Sequence, residues 1–362
     1  MKKLIIRLFA AASPLIALIL FVVFVFDPYN CVHYKTNVAE FTRDTGFTRN
    51  ERIIKMRHIL ETDTPYDALL FGSSRATFLY ADRYYQNGTI YNMSYAGGLL
   101  QEFYENIKVL EKNDRMPKEL FIALDSSSLD AKTANSGYVK NYPQSGFLPE
   151  IYFSYAKEIN LEMLKKCFGY YTGNYEKTSA VEGPTTTAVT TDIAGNYVAL
   201  YADERIEADP TAHCSKEFFH EIYTNKVPSK DYSAALEQIK EIAQICADSG
   251  TKLTLIIIPN YVNTYLADAP ASLVEFIGEA VQVCDVYSFA GINELTKDTY
   301  NWYELSHFRP QFIGDIICRS VFLGEDHTFY SDGWFGAPIT AENIDEYSNY
   351  LYSQLQEYGI TK

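Results

Sequence analysis

Three short apolar runs in this chain each end in a cluster of small or polar residues. Asp67–Phe71 runs into Gly72-Ser73-Ser74-Arg75, Thr89–Met93 into Ser94-Tyr95-Ala96-Gly97-Gly98, and Glu119–Leu124 into Asp125-Ser126-Ser127-Ser128. Leu100, Phe103, Ile107 and Leu110 follow the second run at helical spacing. Further on, Leu236, Ile239, Ala243 and Cys246 mark a helix that Gly250 closes as a C-terminal cap. Leu253–Ile258 is then a continuous apolar run of the kind buried on both faces of a sheet, and a helix over Leu273–Val281 leads into Val283–Phe289. Strands alternating with helices predict βαβ units with right-handed crossovers, so the fold class is α/β with a five-stranded parallel sheet. Ligands of such sheets bind beyond the carboxyl ends of the strands, which makes the three clusters one candidate site edge.

Two flanking helices complete the pattern. Asn50 caps a helix to about Glu61, with Ile53, Ile54, His58 and Leu60 near one face, and Thr340 caps a helix carrying Ile344, Tyr347, Leu351 and Leu355. Residues 131–228 interrupt the alternation. So long a break predicts an inserted cap segment, with a Tyr/Leu-rich helix over Ile151–Tyr171 and a polar surface linker over Thr178–Asp192.

The N-terminus predicts a membrane anchor. Lys2, Lys3 and Arg7 precede an uncharged run, Leu8–Phe26, which is long enough to cross a hydrocarbon core of ~30 Å. The exit, Val22-Val23-Phe24-Val25-Phe26-Asp27, offers no small residues for signal-peptide cleavage. The basic flank then stays in the cytoplasm, making residues 1–27 a cytoplasmic stub and transmembrane anchor and residues 28–362 an extracytoplasmic domain of a single-pass membrane protein.

Charge and cysteine content exclude several classes. A net charge of −15 argues against nucleic-acid partners, which need clustered Lys and Arg. The 30 Tyr and 22 Phe read first as packing, and second as platforms for sugar rings. The six cysteines form no C-x-x-C pair, so neither a zinc ribbon nor a thioredoxin-type motif is expected, and Cys246 reads as a buried free thiol. His213, Glu217 and His220 fall at helical spacing beside Cys214, but without H-E-x-x-H spacing they read as a solvated helix face and no metal is expected. No Walker-type or dinucleotide-type glycine loop is present, so no nucleotide cofactor is expected either.

Far from the first cluster stands Trp302-Tyr303-Glu304-Leu305-Ser306-His307-Phe308-Arg309-Pro310, where a carboxylate precedes a histidine by three residues. A serine hydroxyl is a weak nucleophile at neutral pH and needs a base. A neutral imidazole can serve as that base, and a carboxylate can orient it and stabilise the imidazolium that forms. Ser74 as nucleophile, His307 as base and Glu304 as orienting acid are therefore the parts of an ester hydrolase or acyltransferase. The plainer alternatives are Ser74 as a helix N-cap, His307 as a surface-loop histidine like His33, His58 and His327, and Gly97-Gly98 as a turn that starts a helix.

These blocks resemble the SGNH hydrolase superfamily. Gly72-Ser73-Ser74 is similar to the first block, usually G-D-S, with Ser73 replacing the aspartate; Asn92-Met93-Ser94-Tyr95-Ala96-Gly97 is similar to the second. Glu304-Leu305-Ser306-His307 resembles the fifth block, D-x-x-H, whereas the third block's G-x-N-D is replaced by Leu124-Asp125-Ser126-Ser127. The resemblance runs from about Asp67 to Leu323 apart from the insertion, and implies a flavodoxin-like three-layer fold. It also implies an oxyanion or substrate-binding set of Gly97, Asn92, Ser73 and Ser126 around the catalytic Ser74, His307 and Glu304. The anchor and the His-Phe-Arg-Pro tail look closest to extracytoplasmic members that acylate cell-surface polymers, such as teichoic-acid D-alanylation and alginate O-acetylation proteins. The expectation is a membrane-anchored, serine-dependent enzyme that transfers an acyl group to a cell-surface polysaccharide or cell-wall polymer, or hydrolyses its esters. A membrane-bound O-acyltransferase partner is implied by the resemblance alone. The alternative is a catalytically silent adaptor or a glycan-binding component of a polymer-modifying assembly.

Overall fold

The structure is a computed structural model that describes residues 2–27, 32, 50–130, 152, 156, 159–174, 189–199, 202–220 and 227–360. The chain divides into two compact units: Met1–His58 with Asn135–Ala188, and Ile59–Ala134 with Val189–Lys362.

The second unit is a mixed α/β body on a six-stranded, mostly parallel sheet. The strands are β1 (Ala68–Gly72), β2 (Ile90–Asn92) and β3 (Glu119–Leu124), then β6 (Lys252–Ile257), β7 (Asp285–Ser288) and β8 (Ala337–Ile339). A separate antiparallel pair is made by β4 (Val189–Thr191) and β5 (Tyr197–Ala199). The order is β2-β1-β3-β6-β7-β8, parallel as far as β7. Alternate residues serve opposite faces, as the two-residue period of a strand requires. Ala68 and Leu70 join Phe121, Ala123 and Ile256 in a core with Phe308, Ile313 and Ile317, while Phe71 turns the other way to meet the ring of Phe103 at 5.8 Å. Phe103 lies on the helix Leu100–Lys112, which buries Phe103, Ile107 and Leu110 as its spacing predicts.

The five expected strands are all present, and β8 extends them as an antiparallel edge on β7. Only three residues long and centred on Pro338, β8 has no periodic signal of its own; an edge is where a sheet tolerates proline. The helix Ser233–Ser249 ends at Gly250 with φ +69°, and the helix Pro270–Ala280 precedes β7. The C-terminal helix, Ile344–Glu357, buries Tyr347, Leu351 and Leu355. Thr340 does not cap it: its hydroxyl accepts the Glu342 N–H in the preceding turn, and Asn343 stands at the cap position.

Residues 131–228 are shared between the two units. Asn135–Ala188 groups with the N-terminal residues, whereas Val189 onward belongs to the sheet unit. Residues 131–150, 175–188 and 221–226 lie outside the described residues, so only the end of the expected linker, which forms β4, is seen. The expected Tyr/Leu-rich helix is described as Leu161–Thr172.

In the first unit, the helix Lys2–Phe21 runs on as a π-helical turn, Val22–Phe26, and stops at Asp27 with φ +44°. The uncharged run is thus split between two helical forms, and the α-helical part begins with Lys2, Lys3 and Arg7 and contains Pro14. Among the described residues no helix is long and apolar enough to cross a membrane, so the expected span has no such helix behind it. Val22 and Val23 are buried against Ile53, Met163 and Cys167. Asn50 caps the helix Glu51–Glu61 by accepting the Ile53 N–H at 3.3 Å, but Ile53, Lys55, Met56 and Ile59 are its buried residues, not Ile54, His58 and Leu60.

Candidate active site

Ser74 stands on a turn just past β1, and the chain then makes a 3₁₀ turn, Ala76–Phe78. Gly72 is required by crowding and not by an unusual φ: a Cβ there would lie 2.4 Å from the Ala76 Cβ and 3.1 Å from Ser94 Oγ. The Ser73 hydroxyl faces inward and donates to Asp125 Oδ2 at 3.2 Å, leaving Ser74 as the partly exposed member of the pair.

His307 arrives on a loop that closes on itself. The Tyr303 N–H donates to His307 O at 2.8 Å, the Arg309 N–H to Asn301 O at 2.8 Å, and Trp302 pairs with Phe308 as an isolated bridge. Trp302, Phe308 and Arg309 are completely buried, so the loop is anchored at both ends. Thr264 Oγ1 donates to Leu305 O at 2.7 Å near the loop's tip. At that tip His307 Nε2 lies 2.8 Å from Ser74 Oγ, and His307 Nδ1 bonds to Glu304 Oε1. The other Glu304 oxygen accepts the Ser306 N–H at 2.9 Å. Burial pushes the Glu304 carboxyl up, but His307, the Ser306 N–H and the Arg75 charge together outweigh it and hold the carboxyl below its ordinary value.

A serine oxygen on one imidazole nitrogen and an ionised carboxylate on the other is an arrangement that can work chemically as nucleophile, base and orienting acid. The longer glutamate reaches the ring because the tight Tyr303–His307 turn folds Glu304 back over it. The ring of Phe78 packs edge-on to His307 at 5.8 Å between centroids.

The four residues of the expected oxyanion set stand in different surroundings. Gly97 sits exposed in the turn after β2 with φ +60°, and nothing lies within 4 Å of where its Cβ would be. Asn92 is buried and its Nδ2 donates to Ala76 O, Leu79 O and Asn196 Oδ1, so it ties the turn after Ser74 to the β4–β5 pair and does not face a ligand. Ser126 is also buried; its hydroxyl donates to Asp268 Oδ2 at 2.6 Å in a network with Lys230. Ser73 is committed to Asp125. The resemblance suggested these three by position in a block, and their local hydrogen-bond partners redirect them.

Two arginines, neither singled out from the sequence, organise the site. Arg75 forms an ion pair with Asp125 at 2.5 Å, donates from Nη1 to Ser127 Oγ at 2.9 Å, and donates from Nε to Ser306 O at 3.1 Å. Asp125 has no exposed surface; burial pushes its carboxyl up, but Arg75 and Ser127 hold it below its ordinary value. Arg309 pairs with Asp203 at 2.8 Å and Glu207 at 3.3 Å on the helix Ala202–Ala208, and Asp203 also accepts the Tyr303 hydroxyl at 2.7 Å. The sequence signal for Arg75 was its place beside Ser74; Arg309 had none beyond lying two residues after the histidine.

His213 is buried, with Nε2 on Trp302 O at 2.8 Å, and the expected solvated face is two short helices, Pro210–Cys214 and Glu217–His220. Among the described residues no three His, Cys, Asp or Glu side chains group as metal ligands. Cys167, Cys214, Cys246, Cys284 and Cys318 are free thiols, while Cys31 lies outside the described residues. Burial pushes the Cys246 and Cys284 thiols up to about 12, which keeps them protonated and poor nucleophiles. No protein-family model matches this chain, and no curated protein matches it.

Proposed function

We propose that the chain is an SGNH-like acyl-ester enzyme that carries an acyl group on Ser74. The carrying observation is the 2.8 Å approach of His307 Nε2 to Ser74 Oγ with Glu304 on the far ring nitrogen. In the first step Ser74 Oγ attacks the acyl carbonyl and its proton passes to His307 Nε2, while Glu304 stabilises the imidazolium. The N–H groups of Ser74 and Gly97 hold the oxyanion; losing one such donor typically costs ~3 kcal/mol. Collapse breaks the bond to the leaving oxygen, which takes the proton from His307. An acceptor hydroxyl then gives its proton to His307, attacks the acyl-serine and regenerates Ser74. A sugar or polymer hydroxyl as acceptor gives transfer, and water gives hydrolysis.

The acceptor and location rest on the resemblance and on the N-terminus. Leu15, Ile16, Leu20, Phe21, Phe24 and Val25 are exposed on the N-terminal helical segment, a surface suited to lipid. On this reading the segment Leu8–Phe26 anchors the chain in the cell membrane with the sheet unit outside. The substrate is then a cell-envelope polysaccharide or cell-wall polymer, and a membrane-bound O-acyltransferase is the partner that would supply the acyl group. The second reading, a silent adaptor of a polymer-modifying assembly, is favoured by one observation: Asn92 and Ser126 are both engaged within the fold.

The test is a fluorophosphonate probe on the full chain in detergent. An adduct at Ser74, lost in Ser74→Ala, is expected. No adduct on folded protein, with Ser74→Ala supporting normal polymer acylation in cells lacking the protein, would hand the role to the adaptor.

A further inference from the structure

Three loops from distant parts of the sequence meet at one guanidinium. Arg75 follows the nucleophile directly and is 9 % exposed. Its Nη1 holds Asp125 Oδ1 at 2.5 Å and Ser127 Oγ at 2.9 Å, both on the loop after β3. Its Nε donates to the carbonyl of Ser306 at 3.1 Å, on the His307 loop. Ser306 is thereby held from both sides, because its own N–H lies on Glu304. Asp125 is ordered in turn by the Ser127 N–H at 2.8 Å, the Ser128 N–H at 3.2 Å and the Ser73 hydroxyl at 3.2 Å.

We propose that Arg75, held in place by Asp125, is a positioning residue that fastens the His307 loop to the nucleophile turn. The inference rests on the acyl-serine reading above. A planar fork with several fixed donors can meet a carboxylate and a carbonyl at once, which a lysine's point charge on a flexible stem cannot. The buried Asp125 fixes the fork, so Asp125 acts one step further out, through Arg75. Arg75 also brings its positive charge to the Glu304 side of the loop, which favours the ionised carboxylate there. The loop after β3, where the resemblance leads one to expect an oxyanion-binding asparagine, thus aligns the base instead.

The test separates positioning from mere stability. Full-length Arg75→Met, Asp125→Asn and the double variant are compared with wild type for thermal midpoint and for inactivation by a fluorophosphonate probe. Each single change leaves a buried charge without its partner and lowers the midpoint; the double change removes both charges and recovers much of it. The maximal inactivation rate should nonetheless stay about 100-fold down in Arg75→Met and in the double variant, with KI little changed, because the base has lost its alignment. Arg75→Lys should recover only part of that rate. Recovery of the inactivation rate together with the midpoint in the double variant overturns the proposal, as does a wild-type rate in Arg75→Met. Wild-type protein that takes no label at Ser74 removes the acyl-serine reading and this role with it.

Discussion

His307 Nε2 lies 2.8 Å from Ser74 Oγ although the two residues are 233 positions apart in the chain. β1 delivers the serine, and a loop anchored by buried Trp302, Phe308 and Arg309 delivers the histidine. The approach is therefore set by the sheet edge and by that anchored loop.

A nucleophile and its base act in one step, so losing either costs nearly as much as losing both. Ser74→Ala and His307→Ala should each abolish labelling by an acyl-directed probe, and the double change should add no more than a few-fold. Both side chains are partly exposed, so the variants should keep the wild-type thermal midpoint within a few degrees. Probe labelling followed by peptide mapping, alongside thermal melts, checks both halves.

Glu304 bears on stability as well as orientation. Its folded carboxyl is held below its ordinary value, so the stabilisation it gives is complete above about pH 4.3 and is lost as pH falls through the lower folded value. Glu304→Gln should melt below wild type at about pH 5, and the gap should close toward about pH 3 as the carboxyl takes up its proton. A gap already closed at about pH 5 would show that Glu304 is not held ionised by His307, Ser306 and Arg75. At pH 7 the same change should slow labelling on the order of 100-fold or more, because the imidazolium loses its charged partner.

The glycine before the serines tests crowding against backbone freedom. Gly72→Ala places a methyl where the Ala76 Cβ already lies 2.4 Å away, and neither group can rotate out of the way. Overpacking of this kind typically costs ~1–3 kcal/mol, and the shift falls on the turn that carries Ser74. Urea denaturation should show the loss of stability, and probe labelling should fall in parallel.

The parallel sheet was legible because its strands are continuous apolar runs punctuated by Gly, Ser and Asp, and burial on both faces leaves little else for such runs to be. β8 was not, since three residues around Pro338 carry no period. Ser74, Glu304 and His307 could be named from local spacing. Arg75 and Asp125 could not be joined in advance, because their partnership depends on β1 and β3 lying side by side in the sheet. The partners of Asn92 and Ser126 were illegible for a related reason: a block position says which strand end a residue occupies, while its hydrogen-bond partners come from segments the block does not contain, such as Asn196 and Asp268. The N-terminal run was legible in composition, but not its break into α- and π-helical parts.

The two carboxylates on Arg309 separate a buried lock from its exposed rim. Arg309 has no side-chain exposure, whereas Asp203 is 30 % and Glu207 60 % exposed. Glu207 sits in water at 3.3 Å, so Glu207→Gln should change stability by about 0–1 kcal/mol and leave labelling alone. Asp203 also accepts the Tyr303 hydroxyl and the Gln311 amide, so Asp203→Asn disturbs three donors on the His307 loop and its continuation. Arg309→Met should be the most severe, because it leaves the Tyr300 carbonyl without its Nη1 donor and removes a cation stacked on the Tyr300 and Phe312 rings. The expected order of loss in both thermal midpoint and labelling rate is Arg309→Met, then Asp203→Asn, then Glu207→Gln. If Glu207→Gln instead matched Arg309→Met, the exposed arm would be carrying the lock, and the loop's alignment would depend on a surface pair.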